Sequence, residues 1–121
     1  LRQLQDLPPE IPLRLFEQNL LLELGYELVL DRDTEGNPVQ RDGHYLYEAD
    51  SGFVRLLQLP KEPSRRRRCF SGAHLLEIHR QAYEDSAVRA AAKQLSRLAL
   101  APHLGDKPLH SRDLFLQLAK R

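Results

Sequence analysis

Apolar residues recur at helical spacing near the start of the chain. Leu13, Phe16, Leu20 and Leu24 lie three or four positions apart, and this period predicts an amphipathic helix. Proline is tolerated in a first helical turn, as at position 12, and a glycine such as that at position 25 favours a helix end. We therefore expect a first helix that begins near position 12 and ends before position 25.

The next segment changes from helical spacing to short apolar runs separated by turn residues. Within it, positions 44–56 read HYLYEADSGFVRL, which predicts two short strands around an Asp-Ser-Gly turn. Pro60, Pro63 and the run SRRRR then indicate a linker or an exposed loop.

Helical spacing returns in the second half of the chain. Ser71 is placed to cap a helix that reaches about Tyr83, and Ser86 is placed to cap the next one. That helix ends near Pro102 and carries an apolar side made of Val88, Ala91, Ala92, Leu95 and Ala99. A Gly-Asp-Lys-Pro turn then leads to a last short helix from Ser111. The pattern predicts one mainly α domain over 1–121, with four to five helices and a small β-hairpin insert.

Composition excludes several classes of protein. The 121 residues suffice for one domain with a core, and 41% hydrophobic with 29% charged residues is ordinary for a globular protein. No apolar run approaches the roughly 20 residues that span a bilayer, so we expect no membrane association. The start has neither a signal peptide nor a methionine, which favours a piece of a longer protein. The single Cys69 excludes an internal disulfide and suits a reducing cytoplasm.

The formal net charge of +1 conceals an asymmetry between the two halves. Residues 1–60 hold 5 Lys/Arg against 11 Asp/Glu, a net of −6, whereas residues 61–121 hold 13 against 6, a net of +7. A basic half favours an anionic partner, either nucleic acid or an acidic peptide.

Enzymatic and metal-binding motifs are missing from the sequence. It has no Gly-x-Ser-x-Gly elbow, no glycine-rich phosphate loop and no His-Glu-x-x-His pair. His74 and His79 are five positions apart and fall on different helix faces. Residues 31–42 imitate a calcium loop, but they end in Asp42 and lack flanking helices, so a polar turn is the favoured interpretation. We predict no enzyme, no cofactor and no metal.

Two basic features are candidates for DNA binding. The run Arg65, Arg66, Arg67 and Arg68 could neutralise phosphates without reading any base, although a solvated loop is the alternative. Arg89, Lys93 and Arg97 follow at i, i+4 and i+8, so they form a positive stripe on one face of their helix. Such stripes also serve only to keep helices soluble.

Arg14 is a third candidate, of a different kind. It lies early in the first helix between Leu13 and Leu15, where a guanidinium can stand beside apolar surface and present a planar fork to a carboxylate. The alternative is an arginine that extends along an amphipathic helix to water.

Three stretches carry a family resemblance: LRLFEQNLLLELGY, YEADSGFV and AAKQLSRLALAPHLGDKPLHSRDLF. They resemble the C-terminal region of the RecO family of bacterial DNA-repair proteins, which are recombination mediators. The last stretch is the most specific, since it matches the family's closing LGGKPLKSRELF with Asp106 in place of a glycine and His110 in place of a lysine. Some members bind zinc through cysteines in the insert after the first helix, whereas this chain has Asp31 and Asp33 there and resembles the zinc-free type.

The resemblance implies binding functions. Family members have an N-terminal OB-fold followed by a helical domain, and this chain resembles only the helical domain. They bind single- and double-stranded DNA, anneal complementary strands, contact the acidic C-terminal tail of single-stranded DNA-binding protein, and cooperate with RecR to load RecA. The resemblance thus implies a DNA-repair and recombination module in the bacterial cytoplasm, associated with the nucleoid.

The tail of single-stranded DNA-binding protein is acidic and ends in a phenylalanine, and these two features define what its binding site must provide. Its site needs an apolar slot and a cation. On this reasoning, we expect Arg14 to pair with the terminal carboxylate, Leu21 to wall the slot, and Lys107 and Arg112 to assist with the upstream acidic residues. A sequence-specific helix-turn-helix that reads DNA with the helix of Arg112 is the alternative, although LFLQLA leaves few polar side chains for base edges.

Overall fold

The structure, a computed structural model, describes residues 10–104. Within this range the helices are α1 (Glu10–Glu23), α2 (Pro63–Arg66), α3 (Gly72–His79) and α4 (Ser86–Leu104). The strands are β1 (His44–Glu48), β2 (Gly52–Leu56) and β3 (Cys69–Ser71). Four helices beside a three-stranded sheet make this part of the chain mixed α and β, which corrects the mainly α prediction. The predicted helix from Ser111 lies outside the described residues.

The predicted first helix is confirmed, and its end shows why glycine stands at position 25. Gly25 has a φ of +87°, a conformation that costs little only for glycine. Its N–H donates to the carbonyl of Leu22 at 3.0 Å, and the N–H of Tyr26 donates to that of Leu21 at 2.9 Å. This pair of hydrogen bonds is the Schellman arrangement, which satisfies the last carbonyls of α1 and turns the chain away.

The predicted hairpin is also confirmed, but it belongs to a larger sheet. β1 pairs with β2 in antiparallel register from His44↔Leu56 to Glu48↔Gly52. β1 also pairs with β3, from His44↔Ser71 to Leu46↔Cys69, so the strand order is β2-β1-β3. β3 was not predicted, because three residues are too few to show the alternation by which a strand is recognised.

The end of α3 and the capping residue of α4 differ from those predicted. Ser71 Oγ accepts the N–H of His74 at 3.1 Å, which confirms Ser71 as the cap of α3. α3 ends at His79 rather than near Tyr83, because Gln81 adopts a φ of +58° and reverses the chain. α4 is capped by Asp85 and not by Ser86, since Asp85 Oδ1 accepts the N–H of Ala87 at 2.8 Å.

One apolar core joins the helices to the sheet. α4 packs against α1 and α3, and residues such as Leu95, Leu75 and Phe53 are almost fully buried between them. Gly72 allows the chain before β1 to approach the start of α3 closely, because a Cβ there would lie 1.7 Å from the carbonyl oxygen of Gln40. The start of α3 is thereby packed against the chain that leads into β1.

Candidate functional site

Two elements that are joined by a hydrogen bond both carry exposed cations. Arg65 and Arg66 are in α2, Arg67 follows directly, and all three are exposed. Lys93 and Arg97 are exposed on α4. The amide Nε2 of Gln94 donates a 3.1 Å hydrogen bond to the carbonyl oxygen of Arg67 and so joins the two elements directly. We call the set Arg65, Arg66, Arg67, Lys93 and Arg97 the basic surface.

Helix geometry places Gln94 beside the charged face of α4. At 3.6 residues per turn, the side chains of positions 93 and 97 point about 40° apart around the helix, and that of position 94 lies about 60° from position 97. The main chain of Arg67 is therefore fixed next to the helix face that carries Arg97. Two basic features that the sequence presents separately form one surface in the fold.

Arg68 differs from the other arginines of its run. Its Nη2 donates to the carbonyl oxygen of Tyr47 at 3.1 Å and lies 3.3 Å from Glu48 Oε2, while its Nε also donates to the Tyr47 carbonyl at 3.3 Å. The guanidinium thus ties the end of the arginine run to β1. Arg68 thus uses part of its hydrogen-bonding capacity within the fold, and its place in the DNA-binding set stays a prediction.

Arg89 also departs from its predicted place in an exposed stripe. It is half-buried, and its Nη1 donates to the carbonyl oxygens of Tyr83 and Glu84 at 2.8 Å each. These bonds hold the segment between α3 and α4 against the first turn of α4. Lys93 and Arg97 therefore remain as the exposed cations of the predicted stripe.

The thiol of Cys69 lies at the junction of the arginine run and β3. Its Sγ donates to the carbonyl oxygen of Arg65 at 3.4 Å. Burial raises the pKa of this thiol, and the charges of Arg65, Arg66 and Arg68 oppose that shift only in part. A thiol with a raised pKa is a poor nucleophile at neutral pH, so the charges of the nearby arginines do not make Cys69 a reactive thiol.

Arg14 is buried rather than presented as an open fork. Its side chain is 1% exposed, and its Nε lies 3.1 Å from Oε1 of Glu17, which is 0% exposed. Its Nη1 is buried without a hydrogen-bond partner among the described residues. The structure thus corrects the expected exposure of Arg14, because a carboxylate of the same helix already faces part of its guanidinium.

Further polar side chains lie between the Arg14–Glu17 pair and the loop before α4. The hydroxyl of Tyr83 donates to Oε1 of Gln18, one turn after Arg14. Burial raises the pKa of Tyr83, with the Glu17 carboxylate adding to the shift and Arg14 opposing it. Arg14, Glu17, Gln18 and Tyr83, which we call the α1 polar cluster, are thereby linked across α1 and the α3–α4 connection.

A small cavity opens at the C-terminal end of α1. Its volume is about 160 Å³, and its apolar walls include Leu21, Leu22 and Leu28, with Gln18 and His79 among the polar ones. Leu21 is 1% exposed, whereas Leu22 is 55% exposed. Arg14, Gln18 and Leu21 occupy positions i, i+4 and i+7, so one helix face runs from the buried guanidinium to the cavity.

The other predicted tail-binding residues, Lys107 and Arg112, lie outside the described residues, as does the turn between the last two predicted helices. The described candidate residues thus form two groups. Leu21 and Arg14 lie on α1, and the basic surface is carried by the arginine run and α4. Gln94 was missed by the sequence reasoning, because a lone glutamine on a helix carries no signal of a tertiary hydrogen bond.

The polar insert that resembles a calcium loop is organised by its own hydrogen bonds. Asp33, which is 8% exposed, accepts the N–H groups of Glu35 and Asn37 on Oδ1 at 2.8 and 3.0 Å. Within residues 10–104 no group of three or more potential ligands is arranged to hold a metal ion. Nor does any helix in that range combine the length and apolarity required to cross a membrane.

Comparison with known proteins places these features in a family context. The sequence profile described as "Recombination protein O C terminal" matches residues 1–113. The chain is 42% identical over 108 residues to the DNA repair protein RecO of Pseudomonas putida (strain W619), which covers 89% of this chain and 45% of that protein. It is 43% identical over 109 residues to the DNA repair protein RecO of Haemophilus influenzae (strain 86-028NP), covering 89% and 44%. The chain thus spans less than half the length of these curated relatives.

Proposed function

The chain belongs to the family of recombination protein O C-terminal domains, and from this premise we propose that it serves DNA repair as a binding module of the recombination machinery rather than as an enzyme. The proposed role has two parts, which are DNA binding through the basic surface and recognition of the acidic tail of single-stranded DNA-binding protein. Strand annealing and the loading of RecA together with RecR, in the cytoplasm at the nucleoid, complete the proposal and rest on family membership.

The observation that carries the proposal is the joining of two exposed basic elements by the Gln94–Arg67 hydrogen bond. Exposed arginines and lysines neutralise phosphates and release counterions, which gives affinity without base recognition. Arg65, Arg66, Arg67, Lys93 and Arg97 have this character, because all five are exposed. DNA binding is therefore expected to be independent of base sequence and to apply to both single and double strands.

Salt titration tests the DNA-binding surface. We expect the double substitution Lys93→Gln/Arg97→Gln to reduce the slope of log affinity against log salt by about two units on a mixed-sequence duplex, at roughly 0.9 per lost phosphate contact. The matched control is Arg41→Gln/Arg80→Gln, which removes two exposed arginines that both pair with Glu77, away from the basic surface. Equal slopes for the two double variants would refute the assignment. A strong preference for one duplex sequence would instead favour the helix-turn-helix alternative.

For the tail, we propose that its terminal phenylalanine enters the cavity walled by Leu21 and Leu22, with its carboxylate directed along α1 toward Arg14. Two observations support this direction. The cavity and Arg14 lie on one face of α1, and Nη1 of Arg14 retains an unused donor among the described residues. Because Glu17 already faces the guanidinium, full pairing of the tail with Arg14 requires this pair to rearrange. In the proposal, Lys107 and Arg112 assist with the upstream acidic residues.

Calorimetric titration with the tail peptide tests the cavity. We expect Leu22→Ala to weaken binding roughly tenfold, since it removes apolar surface that contacts the phenylalanine ring. Leu57→Ala is the matched control, because Leu57 is 97% exposed and lies outside the cavity. Arg14→Lys keeps the charge but loses the planar fork, and we expect it to weaken binding as well. Binding unaffected by both Leu22→Ala and Arg14→Lys would exclude this site.

A further inference from the structure

Within residues 10–104, the side chain of Gln94 makes the hydrogen bond that connects α4 to the arginine run. It is half-buried and carries no charge, so it cannot itself neutralise a phosphate. Its Nε2 donates to a main-chain carbonyl, that of Arg67, and the bond therefore does not depend on which side chain occupies position 67. What the bond fixes is the path of the main chain.

The two ends of the arginine run differ in how firmly they are held. On one side, Arg68 binds the Tyr47 carbonyl, and its own carbonyl accepts the Tyr47 N–H at 2.8 Å, so this end is part of the sheet. On the other side, α2 is a single turn whose N-cap residue, Glu62, makes no side-chain capping bond. A four-residue helix without such a cap has little stability of its own. The run thus depends on tertiary contacts for its position relative to α4.

From this arrangement we infer that Gln94 is a positioning residue for DNA binding, which holds Arg65, Arg66 and Arg67 beside Lys93 and Arg97 so that all five cations meet one stretch of phosphate backbone. The inference rests on the proposed DNA-binding surface and adds to it. Without the Gln94 bond the arginines keep their charges but lose their fixed distance from α4. A mobile cation pays conformational entropy when it is ordered on a phosphate, and so contributes less to affinity.

The test uses the full chain, with a single-stranded oligothymidine and a mixed-sequence duplex as probes. Gln94→Met keeps the length of the side chain and removes its donor. We expect this variant to bind both probes about three- to tenfold more weakly and to lose about one unit of salt slope, while its midpoint of thermal unfolding stays near that of the parent. Gln40→Met is the matched control, because Gln40 Nε2 also donates to a carbonyl, that of Pro38, outside the basic surface.

A double-mutant cycle separates positioning from direct binding. In a background where Arg65, Arg66 and Arg67 are all replaced by glutamine, we expect Gln94→Met to have no further effect, because nothing charged remains for it to position. An undiminished effect in that background would overturn the inference, since Gln94 would then act without the run.

The same measurements distinguish failure of the inference from failure of the DNA-binding proposal. If neutralising the run reduces the salt slope but Gln94→Met leaves it unchanged, Gln94 has no positioning role and the basic surface stands. If neutralising the run leaves the slope unchanged, the run does not contact phosphate, and both the assignment of the run and the inference fall.

Discussion

At the scale of single residues, the ion pair of Arg14 and Glu17 has the largest energetic consequence. Both side chains are almost closed to water, at 1% and 0% exposure. Removing water from two charges is costly, and the cost is offset only while both partners are present. An arginine that sequence reasoning assigns to partner binding is thus also a structural residue, and any loss of tail binding on its removal must be separated from loss of folding.

We predict that Arg14→Ala lowers the free energy of unfolding by about 3 kcal/mol or more, because it leaves the Glu17 carboxylate buried without this cation. Urea denaturation followed by circular dichroism measures the change. Arg41→Ala is the control, since the Arg41–Glu77 pair is exposed, and its loss should cost less than about 1 kcal/mol. Similar losses for the two variants would mean that the Arg14 pair is not protected from solvent.

Tyr83 gives the fold a defined response to alkaline pH. Its pKa is raised above the ordinary value of 10.0, first by burial and then by Glu17, so above pH 10 the unfolded chain releases the phenolic proton before the folded one does. The folded state then holds more protons, and stability falls as pH rises. We expect a decline of up to about 1.4 kcal/mol per pH unit above pH 10 from this group. Tyr83→Phe should remove that component in urea titrations; an unchanged pH profile would contradict the assignment.

At the scale of elements, the residue that caps the N-terminus of α4 differs from the one that the sequence pattern predicts. The sequence pattern predicted Ser86 as the cap of α4, although Asp and Ser both cap helices well. The structure selects Asp85, whose carboxylate accepts the N–H of Ala87. We predict that Asp85→Ala lowers the free energy of unfolding by about 1 kcal/mol, whereas Ser86→Ala changes it by less than half as much. Thermal denaturation of the two variants decides between them, and a larger loss for Ser86→Ala would restore the sequence-based cap.

The elements that sequence reasoning predicted are those with a strong local signal. α1 and the β1–β2 hairpin have clear periodicity and end in Gly25 and an Asp-Ser-Gly turn. The mismatches arise where tertiary contacts decide. β3 forms by pairing with the edge of β1 that β2 leaves open. α3 ends early because Gln81 takes a left-handed conformation, and Tyr83 is buried just after it. Local sequence cannot indicate either effect.

In the candidate site, too, the features with a local sequence signal were predicted and those set by tertiary contacts were not. The exposed positions of Lys93 and Arg97 follow from helical spacing, since they lie opposite the apolar side of α4. Spacing alone also predicts an exposed position for Arg89, yet its guanidinium donates hydrogen bonds to the carbonyl oxygens of Tyr83 and Glu84. Burial of Arg14 was equally hidden, because its Glu17 partner at i+3 looks in sequence like an ordinary surface pair.

At the scale of the whole molecule, the fold is expected to be independent of metal. Asp33 uses its carboxylate to hold the insert through two main-chain N–H groups, where cysteines would serve in a zinc-binding relative. We predict well under one zinc per chain by elemental analysis and no change in thermal unfolding with a chelator. Asp33→Ala should cost about 1–2 kcal/mol, because two main-chain N–H groups lose the acceptor that the buried carboxylate supplies. The control, Asp31→Ala, changes a half-exposed carboxylate 4.0 Å from His79 and should cost less than about 1 kcal/mol. Stoichiometric zinc with unfolding on chelation would contradict the prediction.

The strand order β2-β1-β3 also sets a sequence of events during folding. β1 and β2 are joined by three residues, 49–51, and can pair on the time scale of a hairpin, whereas β3 reaches β1 only after the chain from 57 to 68 has been closed into a loop. That loop contains the arginine run. We therefore expect the basic surface to form late, when β3 pairs with β1. In a nascent or partly unfolded chain with an intact hairpin, the arginines would not yet have a fixed position. On the proposed function, competence to bind DNA would then report completion of the fold, and hydrogen exchange at β3 should be faster than at β1 in the free protein.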